Sequence, residues 1–194
     1  MPNPRSDEAT EGRPPVIHTA RLDLLPATPG LLEALLARDL ARAEALSGAR
    51  IPPAWVEQAA GYLHLRLGEL QADPTRQRWL DRLIVLRDEG RPLVGHVGFH
   101  GPPDDRGVLE VGYRVLEAHR GQGVANEAVK GLFGWAFREA GVATFRASIA
   151  PGNGPSRRLA ARLGFRQVGR QVDEEDGEEL VFEVHWSLEA TEKR

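Results

Sequence analysis

One stretch constrains the fold more than any other. Leu109-Glu-Val-Gly-Tyr-Arg-Val115 alternates apolar and polar side chains, the period of a half-buried strand. Gly121-Gln-Gly123 then opens a run in which Val124, Ala128, Leu132, Ala136 and Ala140 recur every four residues, with Ala125, Val129, Phe133 and Phe137 beside them. That is one face of a long helix, ended by Gly141. A strand that turns through two glycines into a helix leaves the first-turn N–H groups bare, at the positive end of the helix dipole. Such a turn suits a phosphate or pyrophosphate, and Arg120 offers a cation beside it. It lacks the Gly-Lys-Ser/Thr of a Walker loop and the third glycine and distant acid of a dinucleotide fingerprint. On this segment alone, an anion site and a plain strand-to-helix turn stay open together.

The remaining pattern fills out a single mixed α/β domain over residues 16–190, behind a polar, Pro-rich tail over 1–15 expected to be disordered. Ile17 to Leu25 alternates as a strand. Thr28-Pro29 starts a helix that Leu31, Leu32, Leu35, Leu36, Leu40, Ala43 and Leu46 carry to Ser47-Gly48. Pro52-Pro53 starts a second, running to about Ala72. Strands follow at Leu83–Leu86, Leu93–Phe99 and Leu109–Val115, then the long helix, a strand at Thr144–Ala150, a short helix at Ser156–Leu163, and strands at Phe165–Val172 and Leu180–Leu188. Asp173-Glu-Glu-Asp-Gly177 reads as an acidic hairpin turn. The order is β-α-α-β-β-β-α-β-α-β-β.

Composition narrows the function. The 194 residues include no cysteine, which excludes a thiol nucleophile, a disulfide framework and a Cys-based metal site, and fits a reducing cytoplasm. No metal site is expected. A net charge of −3, from 25 basic and 28 acidic residues, gives no bulk attraction to nucleic acid or an anionic membrane. No apolar run is long enough to span a bilayer, and the first fifteen residues do not read as a signal peptide.

A second segment carries the remaining signal. Ala147-Ser-Ile-Ala-Pro-Gly-Asn-Gly-Pro-Ser156 ends a strand and opens a short basic helix, which Gly164 closes. Asn153 is a good N-cap on its own account. Together, Arg120-Gly-Gln-Gly-Val-Ala125 and Asn153-x-x-Ser156 with Leu163-Gly-Phe165 resemble the two coenzyme A motifs of the GCN5-related N-acetyltransferase (GNAT) superfamily. Thr19-Ala-Arg-Leu22 and Glu110-Val-Gly-Tyr113 resemble the branch that holds ribosomal-protein alanine/serine N-terminal acetyltransferases. The resemblance runs from Ile17 to Leu188.

That resemblance implies a fold, a reaction and a set of roles. The fold would be a centrally splayed mixed sheet of about seven strands flanked by helices, the acyl-CoA N-acyltransferase fold. The reaction would be direct transfer of acetyl from acetyl-CoA to a primary amine, a protein N-terminus or a small molecule, in a ternary complex. A non-catalytic acyl-CoA sensor of the same fold is the alternative. The amides of Gly121, Gln122, Gly123, Val124, Ala125 and Asn126 would hold the pyrophosphate, with Arg120 nearby. Tyr113, Arg114 and Val115 would pair with the pantetheine arm along a gap between the strands of Val115 and Ile149, and a backbone N–H near Val115 would meet the thioester oxygen. Asn153 would bond the pantetheine region, and Arg157 or Arg158 would reach phosphates. Many relatives place a tyrosine acid seven residues after the motif asparagine, where this chain has Ala160; Ser156 is the expected donor to the thiolate instead. Glu110 is the expected base, with Glu183 and His185 as rivals. His96, His100 and His119 read as packing or solvent-facing. The two N-terminal helices would wall the acceptor site, whose amine the sequence does not name. A homodimer is compatible with exposed strand edges.

Overall fold

The structure is a computed structural model, and it describes residues 14–173 and 177–187. Along the chain lie β1 (Ile17–His18), β2 (Leu22–Pro26), α1 (Pro29–Leu36), α2 (Leu40–Ser47), α3 (Pro53–Ala72), β3 (Arg82–Leu86), β4 (Leu93–Phe99), β5 (Val108–Val115), α4 (Val124–Ala140), β6 (Thr144–Ile149), α5 (Gly154–Arg162), β7 (Arg166–Asp173) and β8 (Gly177–His185). Short 3-10 turns at Pro74–Arg78 and Glu117–His119 complete it. The strands form one sheet in the order β1-β2-β3-β4-β5-β6-β8-β7. Every neighbouring pair is antiparallel except β5–β6.

That parallel joint is the feature that positions the site. Its register holds for three rungs, Val108↔Thr144, Leu109↔Phe145 and Glu110↔Arg146. Beyond Glu110 the strands part, while β5 stays paired with β4 as far as Val115 and β6 with β8 as far as Ile149. The sheet is therefore splayed at its centre between Val115 and Ile149.

Two apolar cores pack on opposite faces. On one, α4 lays Phe133 against Phe145 with ring centroids 3.8 Å apart, and Phe99, Phe165 and Trp186 surround the pair. On the other, Leu31, Leu35, Trp55 and Leu63 from α1 and α3 cover Leu83, Val85 and Leu93.

Two sequence expectations give way. Residues 17–25 form two strands, because Thr19 closes a tight turn: its N–H donates to the Leu22 carbonyl at 2.9 Å, and its Oγ1 accepts from the Leu22 N–H at 3.0 Å. The sheet thus has eight described strands. The expected helix over 29–46 is broken at Arg38, whose φ is 58°, and Asp39 recaps the chain by accepting from the Arg42 N–H at 3.0 Å. Apolar spacing hid the break because Leu46, which continued the pattern, is exposed. The last strand ends at His185, and the central residues 174–176 of the acidic turn, Leu188 and most of the expected tail lie outside the described residues.

Candidate functional site

The two glycine turns are backbone necessities. Gly121 and Gly123 have φ of 73° and 81°, a region that costs a residue with a Cβ roughly 1–2 kcal/mol. They swing the chain so that α4 starts with its N-terminus facing the gap. Residues 120–123 form a hydrogen-bonded turn; within it and the first turn of α4 the first N–H with a short, well-aligned partner is that of Glu127, which donates to the Gly123 carbonyl at 3.0 Å. The amides of the first turn of α4 keep donor capacity at the wall of the gap.

The turn is braced from a distance. Glu127 accepts from the Thr19 hydroxyl at 2.6 Å, the Arg21 N–H at 2.7 Å and the Arg21 Nε at 2.7 Å. Arg21 also donates to the Gln122 carbonyl at 3.2 Å. Burial works to raise the Glu127 pKa, but these donors outweigh it and hold the carboxyl below its ordinary value. The Thr19-Ala-Arg-Leu22 motif thus ties the edge of the sheet to the turn. No sequence signal links residues so far apart.

Two cavities meet at the gap. The larger, about 800 Å³, is walled by Val115, Arg120, Gly121, Gly123, Ala125, Asn126 and Arg162. The smaller, about 300 Å³, has Val111, Val129 and Leu163 at one side and His100, Gly112, Ser148 and Glu179 at the other. These groups belong to opposite faces of the sheet, so the gap passes through it. Tyr113, Asn153, Ser156 and Leu159 line both cavities.

Each expected residue then finds its place. His100 N–H donates to the Glu110 carbonyl and Leu116 N–H to the Val94 carbonyl, both at 2.9 Å. By the alternation of an antiparallel ladder, Arg114 turns its backbone toward β4, and Tyr113 and Val115 turn theirs toward the gap. Arg114 therefore turns its main chain away from the gap, although the residue lines the larger cavity with Tyr113 and Val115. The Val115 carbonyl already accepts from Arg120 Nε at 3.0 Å. Asn153 Oδ1 caps α5 through the Ser156 N–H at 3.1 Å. Arg157 donates to the Pro151 carbonyl, and it is Arg162, unremarked in the sequence, that lines the larger cavity.

The three carboxylate and histidine rivals separate. Glu183 accepts from Arg146 at 2.8 Å and Arg106 at 3.4 Å, and the Arg146 hydrogen bond leads the effects that hold its carboxyl below the ordinary range. His185 lies beside Thr144, at the closed end of the β5–β6 joint. Glu110 sits at the last closed rung, with His100 Nδ1 4.0 Å from its carboxylate. Glu110 itself lines neither cavity; His100 does. A Cβ on Gly112 would come within 2.6 Å of His100 Nε2, so the bare glycine makes room for this ring. His96, by contrast, is buried and stacked on Tyr62 at 4.1 Å, as a packing residue. No cluster of three or more metal-ligating side chains exists among the described residues.

With this geometry in view, the chain can be placed among known proteins. A family model for the acetyltransferase (GNAT) domain matches residues 21–166, and the chain belongs to that family. An N-acetyltransferase of Bacillus subtilis that is itself uncharacterized, YjdG, is 32% identical over 85 residues, 44% of this chain and 51% of that protein. The chain spans about half the length of such curated relatives. Among solved structures, Mycobacterium smegmatis RimJ in complex with CoA-disulfide superposes with a TM-score of 0.61 at 20% identity, over 94% of this chain and 91% of that one. RimL, a ribosomal L7/L12 alpha-N-protein acetyltransferase seen in complex with coenzyme A, gives 0.60 at 16% identity, over 88% and 98%. At these identities the structures speak for the fold.

Proposed function

We propose that the protein transfers an acetyl group from acetyl-CoA to a primary amine by direct attack in a ternary complex. One observation carries the reading: the β5–β6 ladder stops after Glu110↔Arg146, and the gap beyond it is walled by the glycine turn and the N-terminus of α4. A diphosphate fits the donors of that N-terminus and the helix dipole behind them. The free edge of β5 at Tyr113 and Val115 fits the two amides of a pantetheine arm, as an added strand would. The acetyl-CoA thioester then lies in the gap, and the amine approaches from the face where His100 and Gly112 stand.

Glu110 is the base in this reading, with His100 between its carboxylate and the gap. Loss of the ammonium proton to this pair leaves the nitrogen lone pair free to attack. A backbone N–H near Val115 meets the carbonyl oxygen, where charge develops, and Ser156 donates to the departing sulfur. The acceptor class is a protein N-terminal amine or a small amine, and RimL and RimJ favour trying peptides first. The sensor alternative had the missing tyrosine at Ala160 as its support, and relatives named N-acetyltransferases weigh against it. The absence of cysteine suits work in the cytoplasm.

Calorimetric titration with acetyl-CoA tests the first half of the proposal; no binding at millimolar ligand overturns it. Coenzyme A release over a panel of N-terminal peptides and small amines tests the second, and silence across the panel with intact binding would favour a sensor.

A further inference from the structure

We propose that Tyr113 is the positioning residue that supplies the proton for the departing sulfur, acting through Ser156. The proposal rests on the acetyl-transfer reading and goes beyond it in naming the source of that proton.

The geometry is specific. The Tyr113 hydroxyl, from β5, donates to Ser156 Oγ, in the first turn of α5, at 3.1 Å. The bond crosses the gap, and both residues line both cavities. It therefore stands where the coenzyme side meets the acceptor side. In the relay Tyr113 is the donor of this bond, which leaves the Ser156 hydrogen to be aimed into the passage. The Ser156 N–H is held by Asn153 Oδ1 at 3.1 Å, which fixes the turn that presents the hydroxyl. Ala160, one turn further along α5, is buried and ends at its Cβ. The phenol that α5 lacks at that position is thus delivered from β5, by Tyr113, 43 positions before Ser156.

The chemistry explains why a serine needs such a partner. An aliphatic hydroxyl is about as weak an acid as water, and a phenol ionises near 10. Serine alone would be left as an alkoxide. Coupled to tyrosine, it hands the charge to an oxygen far better able to carry it. Burial raises the Tyr113 pKa above its usual value, against the smaller opposing effect of Ser156, so the phenol is protonated at neutral pH. In the step, the nitrogen–carbonyl bond forms and the carbon–sulfur bond breaks. Ser156 gives its proton to sulfur and takes the phenol's in return, and Tyr113 regains one from water. The two protons lost by the ammonium leave through Glu110, so one proton is released per turnover.

The test uses Y113F, S156A, S156T and the double variant Y113F/S156A, with two readouts. Steady-state kinetics with the best acceptor of the panel should show Y113F lowering kcat about 10- to 100-fold with KM for acetyl-CoA within twofold. The double variant should be no slower than S156A, because a serial relay is broken once. S156T should recover most of the loss, and the alkaline fall of kcat should vanish in Y113F. The second readout needs no acceptor: the thiol of bound coenzyme A, followed by thiolate absorbance, should titrate about one unit higher in Y113F than in the wild type. Losses that multiply in the double variant, a loss confined to KM, or an unchanged thiol titration each overturn the relay while leaving acetyl transfer standing. Failure of the wild type to bind coenzyme A overturns both.

Discussion

The two halves of the sheet are built differently. From β2 to β4 the sheet is covered on both faces, by α4 on one and by α1 and α3 on the other, and every residue of β2 and β4 is buried. From β5 to β7 it is covered on one face only. There β6 alternates half-buried and buried residues, and β7 is exposed along nearly its whole length. The bare face carries a row of charges across neighbouring strands, Glu110, Arg146, Glu183 and Arg166, beside His100. Continuous apolar runs belong to two-sided burial and alternation to one-sided burial. The first half supplies rigidity and the second an open face, and the proposed chemistry falls on the seam, where three rungs of parallel pairing leave main-chain groups free.

Six substitutions would break or sharpen that contrast. Phe133 stacks on Phe99 and Phe145 and meets Trp186 edge-on, so it ties the halves together. F133A should cost about 3–5 kcal/mol, and urea denaturation should still show one transition; two would mean that the halves fold separately. On the open side, E110Q should reduce kcat/KM about 100-fold with stability unchanged. H100N should lower kcat/KM in the same direction, because the imidazole stands beside the Glu110 carboxylate and lines the cavity that Glu110 does not reach.

The brace should matter to the coenzyme more than to the fold. R21A should raise KM for acetyl-CoA about 5- to 10-fold, a loss of about 1 kcal/mol of loop order, and calorimetry should show the same loss in binding. The Glu127 carboxyl has its folded pKa depressed, so its contribution to stability is present above the unfolded value near 4.3 and is lost as pH falls through the folded value. E127Q should therefore lose less stability than the wild type between pH 6 and pH 3, measured by denaturation at each pH. The smallest effect is expected at Arg106, whose exposed pairing with Glu183 is worth less than about 1 kcal/mol. R106A should leave both melting and turnover near wild type, whereas a large effect on turnover would move the site along the open face toward Glu183.

Much of this arrangement was legible beforehand. The strand–glycine–helix segment fixed where the first-turn amides of α4 would stand, because glycine placement and helical period are local properties. The break at Arg38 was not legible, since a run of leucines keeps its spacing through a cap, and only burial tells which of them face the core. His100 was read as packing or solvent-facing, and nothing in its neighbourhood says that Gly112, on the next strand, leaves it room. Arg114 was assigned to the gap on its strand alone, yet which way its backbone turns depends on the ladder with β4.

The sequence by itself determined most of the elements, their order and the family, because periodicity, caps and glycine turns act over a few residues. Tertiary structure alone decided which side chains meet: Tyr113 with Ser156, Arg21 with Glu127, and His100 over Gly112. Those meetings join residues far apart along the chain, and only the register and splay of the sheet bring them within hydrogen-bonding or van der Waals reach.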